Sequence, residues 1–312
     1  MSRVYDALKR AGQFPDSSEG VSSAQAKNRP DSQMVDITDV IAQRLSNVPV
    51  RDVPHSPEVS ADVIEQAPTS APPQNGLLGT AVSVALNKKA RILPHSIEPR
   101  LEEYYRIIRT NILQEQSKRS FRSLLVASPR PRDGKTLTVL NLALTFAMIP
   151  SFKVLVVDGD LRRGNLGATL GLEDSLGFSN FVENGAKLED VILKCDALPM
   201  KFMMRGTAKL SPAEMLQSPL LGKKIRKLTE YFDLVLIDSP PASMFADAKL
   251  LASACDGTVL VTRAFSTTGK VFERVYKDLQ PFRIIGAVLN GVVEPGSYRR
   301  YRYGYGTDGI NK

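Results

Sequence analysis

The residues of this 312-residue chain best suited to chemistry are a lysine–threonine pair and three aspartates, set at three places. In the stretch ASPRPRDGKTLT, Gly134-Lys135-Thr136 stands where a helix is expected to begin. Backbone N–H groups at such a start cradle phosphate oxygens. The lysine of a G-K-T sequence reaches the β- and γ-phosphates, and the threonine hydroxyl ligates magnesium. Arg132, Asp133, Gly134, Lys135, Thr136 and Leu137 are therefore read as a nucleotide cradle. In VLVVDGDLRRGN, Asp158 and Asp160 follow an apolar run. Paired carboxylates in that place need a use for their charge, either a cation or a proton; helix capping by Asp160 is the other reading. In FDLVLIDSPP, Asp238 ends four apolar residues, as does an aspartate that holds magnesium through water. The set amounts to the parts for phosphoryl transfer, in which positioning and charge stabilisation dominate. Lys135, Asp158 and Asp160 are the candidate catalytic groups, and Thr136, Asp158 and Asp238 the candidate metal ligands.

These residues need a scaffold that brings them together. Apolar runs at 123–128, 154–158, 234–238, 258–262 and 284–290 read as buried strands. Helical patterns lie between them, at 134–148, 219–230, 244–254 and 269–279, with a further helix over 97–116. Continuous apolar strands alternating with helices predict an α/β fold with a mostly parallel sheet covered on both faces. Ligands bind such sheets at the carboxyl ends of the strands, where all three motifs fall. Asn290 closes the last strand and on its own reads as a turn residue before Gly291.

Outside this region the composition changes. Residues 3–12 suit a short amphipathic helix within an N-terminal segment 1–14. Residues 15–92 are rich in Ser, Pro, Asp and Gln and read as a disordered linker, unable to bury enough apolar surface to offset ordering entropy. The phosphate-binding domain is placed at 93–294, and 295–312 is a polar, flexible tail. The two cysteines, Cys195 and Cys255, make neither a disulfide framework nor a zinc pattern, which fits a reducing compartment. His55 and His95 are the only histidines, which argues against histidine-based triads and metal sites. A formal net charge of +8 favours acidic partners such as nucleotides, nucleic acid or an anionic membrane, or serves solubility alone. No apolar run reaches 18 residues and the N-terminus lacks a signal-peptide core, so a cytoplasmic protein is expected.

The order P-x-D-G-K-T, then hhhhDxDxRR, then hhhDSPP resembles the bacterial tyrosine autokinases (BY-kinases), P-loop NTPases related to the MinD/ParA ATPases. The resemblance extends over residues 97–305, through GTAKLSPAEMLQSP and IDSPPASMFADAKLLASACDGTVLVTR, and MSRVYDALKRAG is similar to the N-terminus of members associated with exopolysaccharide systems. It implies an ATP- and Mg2+-dependent autokinase that regulates polysaccharide synthesis and export. It also implies that Asn290 reads adenine, and that Glu103, Arg106 and Arg109 hold subunits in a ring. Those three cover one sector of a helix, and an exposed ion pair is the simpler reading. The resemblance departs at Arg132, where the family carries glycine. A requirement for φ > 0 there would cost arginine about 1–2 kcal/mol.

The resemblance makes Tyr298, Tyr301, Tyr303 and Tyr305 sites of phosphorylation by a neighbouring subunit. A tail of 294–312 extends to roughly 60 Å, at about 3.3 Å per residue, so transfer between subunits is within reach. Stacking on nucleic acid is the alternative use of a Tyr/Arg tail, though no nucleic acid partner is expected. The expected partners are a membrane polysaccharide co-polymerase that activates the kinase, further copies of the chain and a tyrosine phosphatase, which places the protein at the inner membrane through a partner. The rival functions are a partition-type ATPase and a nucleotide-binding scaffold without catalysis.

Overall fold

The computed structural model describes residues 79–84 and 99–292, apart from 173–174, 184, 196 and 208–209. The N-terminal helix, most of the linker and the four tail tyrosines lie outside the described residues. Eight strands form one sheet: β1 (Thr80–Ala81), β2 (Ser123–Ala127), β3 (Val154–Asp158), β4 (Leu193–Cys195), β5 (Leu198–Met203), β6 (Leu234–Asp238), β7 (Gly257–Arg263) and β8 (Ile284–Asn290). Their order across the sheet is β1-β4-β5-β3-β6-β2-β7-β8, parallel throughout except for the β4–β5 pair.

The helices are α1 (Pro99–Lys118), α2 (Lys135–Ala147), α3 (Asn165–Leu170), α4 (Phe178–Glu183), α5 (Leu188–Val191), α6 (Pro212–Leu216), α7 (Leu221–Thr229), α8 (Asp247–Ala254) and α9 (Gly269–Leu279). Every residue of β2, β3 and β6 is buried because helices cover both faces. Side chains alternate along each strand, and the pleat divides them between two cores. Leu125, Leu155, Val157, Val235 and Ile237 pack with α4, α7, α8 and α9. Leu124, Val126, Val154, Val156 and Leu236 pack with α1, α2 and α3.

Two parts of the sheet depart from the sequence-based expectation. Residues 80–81 fall in the stretch assigned to the linker, yet they pair in parallel with Leu193 and Lys194 of β4. Strands β4 and β5 lack a continuous apolar run. Lys194, Pro199 and Lys201 interrupt them, and in β5 Pro199 is exposed and Lys201 half-buried between buried neighbours.

The sheet register decides where the site lies. Asp158, the last residue of β3, sits opposite Asp238, the last residue of β6, and Val126 of β2 sits on the other side of Asp238. The chain then leaves β3 through Gly159, whose N–H donates to the Asp238 carbonyl at 2.8 Å. A Cβ at 159 would stand 2.6 Å from that carbonyl oxygen and 2.9 Å from Ile237 Cγ2. Only glycine lets the two carboxylate-bearing strand ends approach this closely. Gly159→Ala is expected to lower stability by about 1–3 kcal/mol, the usual cost of overpacking, as a fall in the denaturation midpoint in urea.

Candidate functional site

The loop 128–134 between β2 and α2 is held from inside. Asp133 is buried, and its carboxylate accepts from the Arg130 N–H at 2.9 Å and from the Thr267 hydroxyl at 2.7 Å. Burial raises its pKa above the usual carboxylate value, against the pull of those hydrogen bonds. The Asp133 carbonyl accepts from Asn290 Nδ2 at 3.0 Å. Gly134 caps α2 with φ 94° and ψ 17°, a left-handed conformation that suits glycine. A Cβ there would overlap the Asn290 side-chain amide. Arg132 also takes a positive φ of 67°, and its side chain is exposed.

Lys135 and Thr136 open α2 and face Asp238. The Lys135 ammonium pairs with Asp238 Oδ1, and the Thr136 hydroxyl donates to Oδ2 at 2.6 Å. Asp238 is fully buried and Lys135 nearly so. An unpaired charge would be costly at that depth. Leu137 follows within the first turn of α2 and packs at the edge of the core beneath it.

Asp158 stands beside this pair. Its Oδ1 accepts from the Asp160 N–H at 3.1 Å and its Oδ2 from the Leu166 N–H at 3.2 Å. Burial, and then the neighbouring Asp238 and Asp160 carboxylates, push its pKa up to about 7, while Lys135 pulls it down. Asp160 is buried too, and its Oδ1 accepts from the Arg162 and Arg163 N–H groups at 3.3 and 3.1 Å. It therefore caps the tight turn 160–164. The N-cap of α3 is Gly164, with no side-chain cap, so the helix-cap reading of Asp160 is replaced by a turn cap.

Three motifs separated by up to about a hundred residues thus meet at the carboxyl ends of three central strands, β3, β6 and β2. Among the described residues no group of three or more His, Cys, Asp or Glu side chains could hold a metal ion. The donor set still suits magnesium bound jointly with phosphate. Thr136 Oγ1 and Asp238 Oδ2 are adjacent at the start of α2, and the hard oxygen donors and the positive helix end match a metal–phosphate ligand.

Sequence reasoning assigned no role to Arg162, Asp247, Arg130 or Thr267. The Arg162 guanidinium bonds both oxygens of buried Asp247 at 2.8 and 3.0 Å and lies 4.3 Å from the Phe245 ring centroid. It ties the turn after β3 to the start of α8. Both residues lie in stretches that bear the family resemblance, DGDLRRGN and FADAK, so the signal was present, but the pairing spans 85 residues.

The expected subunit-interface residues divide. Glu103 and Arg106 are exposed; Arg106 pairs with Glu102 and stands 4.0 Å from Glu103. Arg109 is half-buried and donates to the Thr145 carbonyl of α2 within its own domain. Cys195 and Cys255 are free thiols. No described helix is long and apolar enough to cross a membrane.

Residues 132–281 match the family described as an AAA domain. The tyrosine-protein kinase CpsD of Streptococcus agalactiae is 32% identical over 207 residues, covering 64% of this chain and 89% of the relative. The chain belongs to the bacterial tyrosine-kinase family. The tyrosine-protein kinase YwqD of Bacillus subtilis is 30% identical over 207 residues, with 66% and 86% covered. The kinase domain of the Escherichia coli tyrosine kinase ETK superposes with a TM-score of 0.58 at 26% identity, covering 62% of this chain and 76% of that domain.

Two outcomes are expected from this geometry. Unfolding frees Asp158 to ionise at its ordinary pKa near 3.8, whereas the folded protein keeps it protonated up to about pH 7. Its contribution to stability therefore falls as pH rises through that window and is at its worst above it. Thermal melts in EDTA without nucleotide should show Asp158→Asn gaining on the parent as pH rises from about 4 to 8; a gap independent of pH would contradict this. Arg132→Gly should relieve about 1–2 kcal/mol of left-handed backbone strain and raise the melting temperature by a few degrees.

Proposed function

We propose that this chain is an ATP-dependent protein-tyrosine autokinase that regulates exopolysaccharide or capsule synthesis and export. The observation that carries the reading is the shared hold of Lys135 and Thr136 on Asp238 at the start of α2. The triphosphate of ATP would lie against the N–H groups of 134–136, with the Lys135 ammonium against its β- and γ-oxygens. Magnesium would be held by Thr136 and Asp238, with Asp158 beside them, and would supply neutralising charge to the phosphates. Asn290, whose Nδ2 holds the loop, would meet the adenine through its Oδ1.

The acceptor is one of Tyr298, Tyr301, Tyr303 and Tyr305 from a neighbouring copy. Its phenol oxygen forms the new bond to the γ-phosphorus. The bond to the bridging oxygen breaks, and ADP leaves with that electron pair. The phenol proton passes to Asp158 or Asp160; at Asp158, burial and the neighbouring Asp238 and Asp160 carboxylates favour proton uptake. Each phosphotyrosine adds about −1.5 to −2 charges at pH 7, so several reverse the sign of the Arg-rich tail. Loss of tail docking and dissociation of the ring would follow.

Exposed Glu103 and Arg106 on α1 are the proposed ring contacts, with Arg109 bracing α1 against α2. A membrane polysaccharide co-polymerase is the proposed activator and holds the kinase at the cytoplasmic face of the inner membrane. A tyrosine phosphatase would reset the tail, and no nucleic acid partner is proposed.

The test is a phosphotyrosine blot of the full chain incubated with Mg·ATP and its co-polymerase. A signal is expected that falls about 10²–10³-fold in Lys135→Met, the loss typical of removing one preorganised charge-stabilising donor. Robust ATP hydrolysis without phosphotyrosine would favour a partition-type ATPase. ATP binding with neither transfer nor hydrolysis would favour a scaffold.

A further inference from the structure

The loop after β7 contains a residue that the folding of this domain does not explain. Phe265 takes a positive φ of 60° and is 88% exposed. Left-handed backbone is disfavoured for a bulky side chain, and an exposed ring gains little from burial. Glycine or asparagine would remove both penalties.

The residues around Phe265 are fixed to the phosphate loop and to β8. The Ala264 N–H donates to the Asn290 carbonyl at 2.9 Å. Arg130 Nη1 donates to the Ser266 carbonyl at 2.8 Å, and the Thr267 hydroxyl to Asp133 at 2.7 Å. The ring therefore projects from a rigid base beside the cradle. Among the described residues it is the only aromatic side chain in the loops that leave β2, β7 and β8.

Sheet order sets the direction of a bound nucleotide. Asp238 and Asp158 end β6 and β3, on one side of β2. They would draw the metal and γ-phosphate to that side. The ribose and base then extend across β2 toward β7 and β8, where Asn290 and Phe265 stand.

We infer that Phe265 is the platform on which the purine base of the bound nucleotide stacks, an inference that rests on the nucleotide-binding reading of the cradle. Every base presents a π-face, so the ring adds affinity for the base and none for the phosphates. The strain at 265 is then the cost of aiming the ring.

The chain contains no tryptophan, so Phe265→Trp provides a single tryptophan emitter at the proposed contact. The full-length variant should change emission on titration with Mg·ADP and not with inorganic tripolyphosphate. In calorimetry, Phe265→Gly should bind Mg·ADP about tenfold more weakly than the parent and tripolyphosphate equally well, while melting at a higher temperature. Unchanged emission at saturating ADP, or unchanged ADP affinity in Phe265→Gly, would overturn the inference even with the cradle intact. Unchanged affinity with a shift in sedimentation would instead make Phe265 a contact between copies. Failure of the parent to bind either ligand would remove the nucleotide reading itself, and the platform with it.

Discussion

Asp238 has two carboxylate oxygens, and the phosphate loop's helix holds both of them. Lys135 takes one and Thr136 the other, at a depth where no water reaches the acid. This knot fixes the start of α2 over the end of β6. It also fixes the competition on which a nucleotide site depends. The ammonium that would meet phosphate is already paired with a carboxylate, so a triphosphate and Asp238 contend for the same charge. Breaking a buried pair by removing one member is costly because the other charge stays behind. A metal–phosphate ligand avoids that cost, since it brings both a cation for the carboxylate and anions for the lysine.

The crowding of acids follows from the same register. With Asp158 directly across from Asp238, and Asp160 two residues on, three carboxylates share one strand edge around a single lysine. The excess negative charge is relieved by proton uptake at Asp158. A cation would relieve it more fully, and the arrangement therefore favours occupancy. Gly159 permits the approach, and Arg162 pinned to Asp247 keeps the turn from drifting outward. A fold selected for stability alone would separate these acids.

Much of this was legible in the sequence because the information is local. The strands β2, β3 and β6 each carry a run of four apolar residues; Asp158 and Asp238 end two of them, Asp160 follows two residues on, and the Gly134-Lys135-Thr136 stretch lies one loop beyond β2. What could not be read was of three kinds. Strand β1 has two residues, too few for a period, and in β5 the alternation is short and carries Pro199, a residue that argues against a strand. Arg109 shares a helical sector with Glu103 and Arg106, yet the packing of α2 half-buries it. A helix's periodicity does not reveal which neighbour covers its flank. Contacts such as Arg162–Asp247 and Thr267–Asp133 join residues 85 and 134 positions apart, and single-chain spacing carries no trace of them.

Backbone strain in this domain is concentrated at the rim of the site. Of the three non-glycine residues with positive φ among those described, Arg132 lies in the phosphate loop and Phe265 in the adjacent loop; Ser151 lies in the turn before β3. Strained backbone persists only where the surrounding structure over-determines it. Here the determinants are visible: Asp133 anchors the chain next to Arg132, and Ala264, Ser266 and Thr267 are bonded around Phe265. Both strained side chains are exposed, one a cation and one a ring. A cation and an aromatic face are the chemistries that complement the two ends of a nucleotide, phosphate and base. On the proposed nucleotide reading, the stability lost at these two positions goes into side-chain direction, which a glycine would not supply.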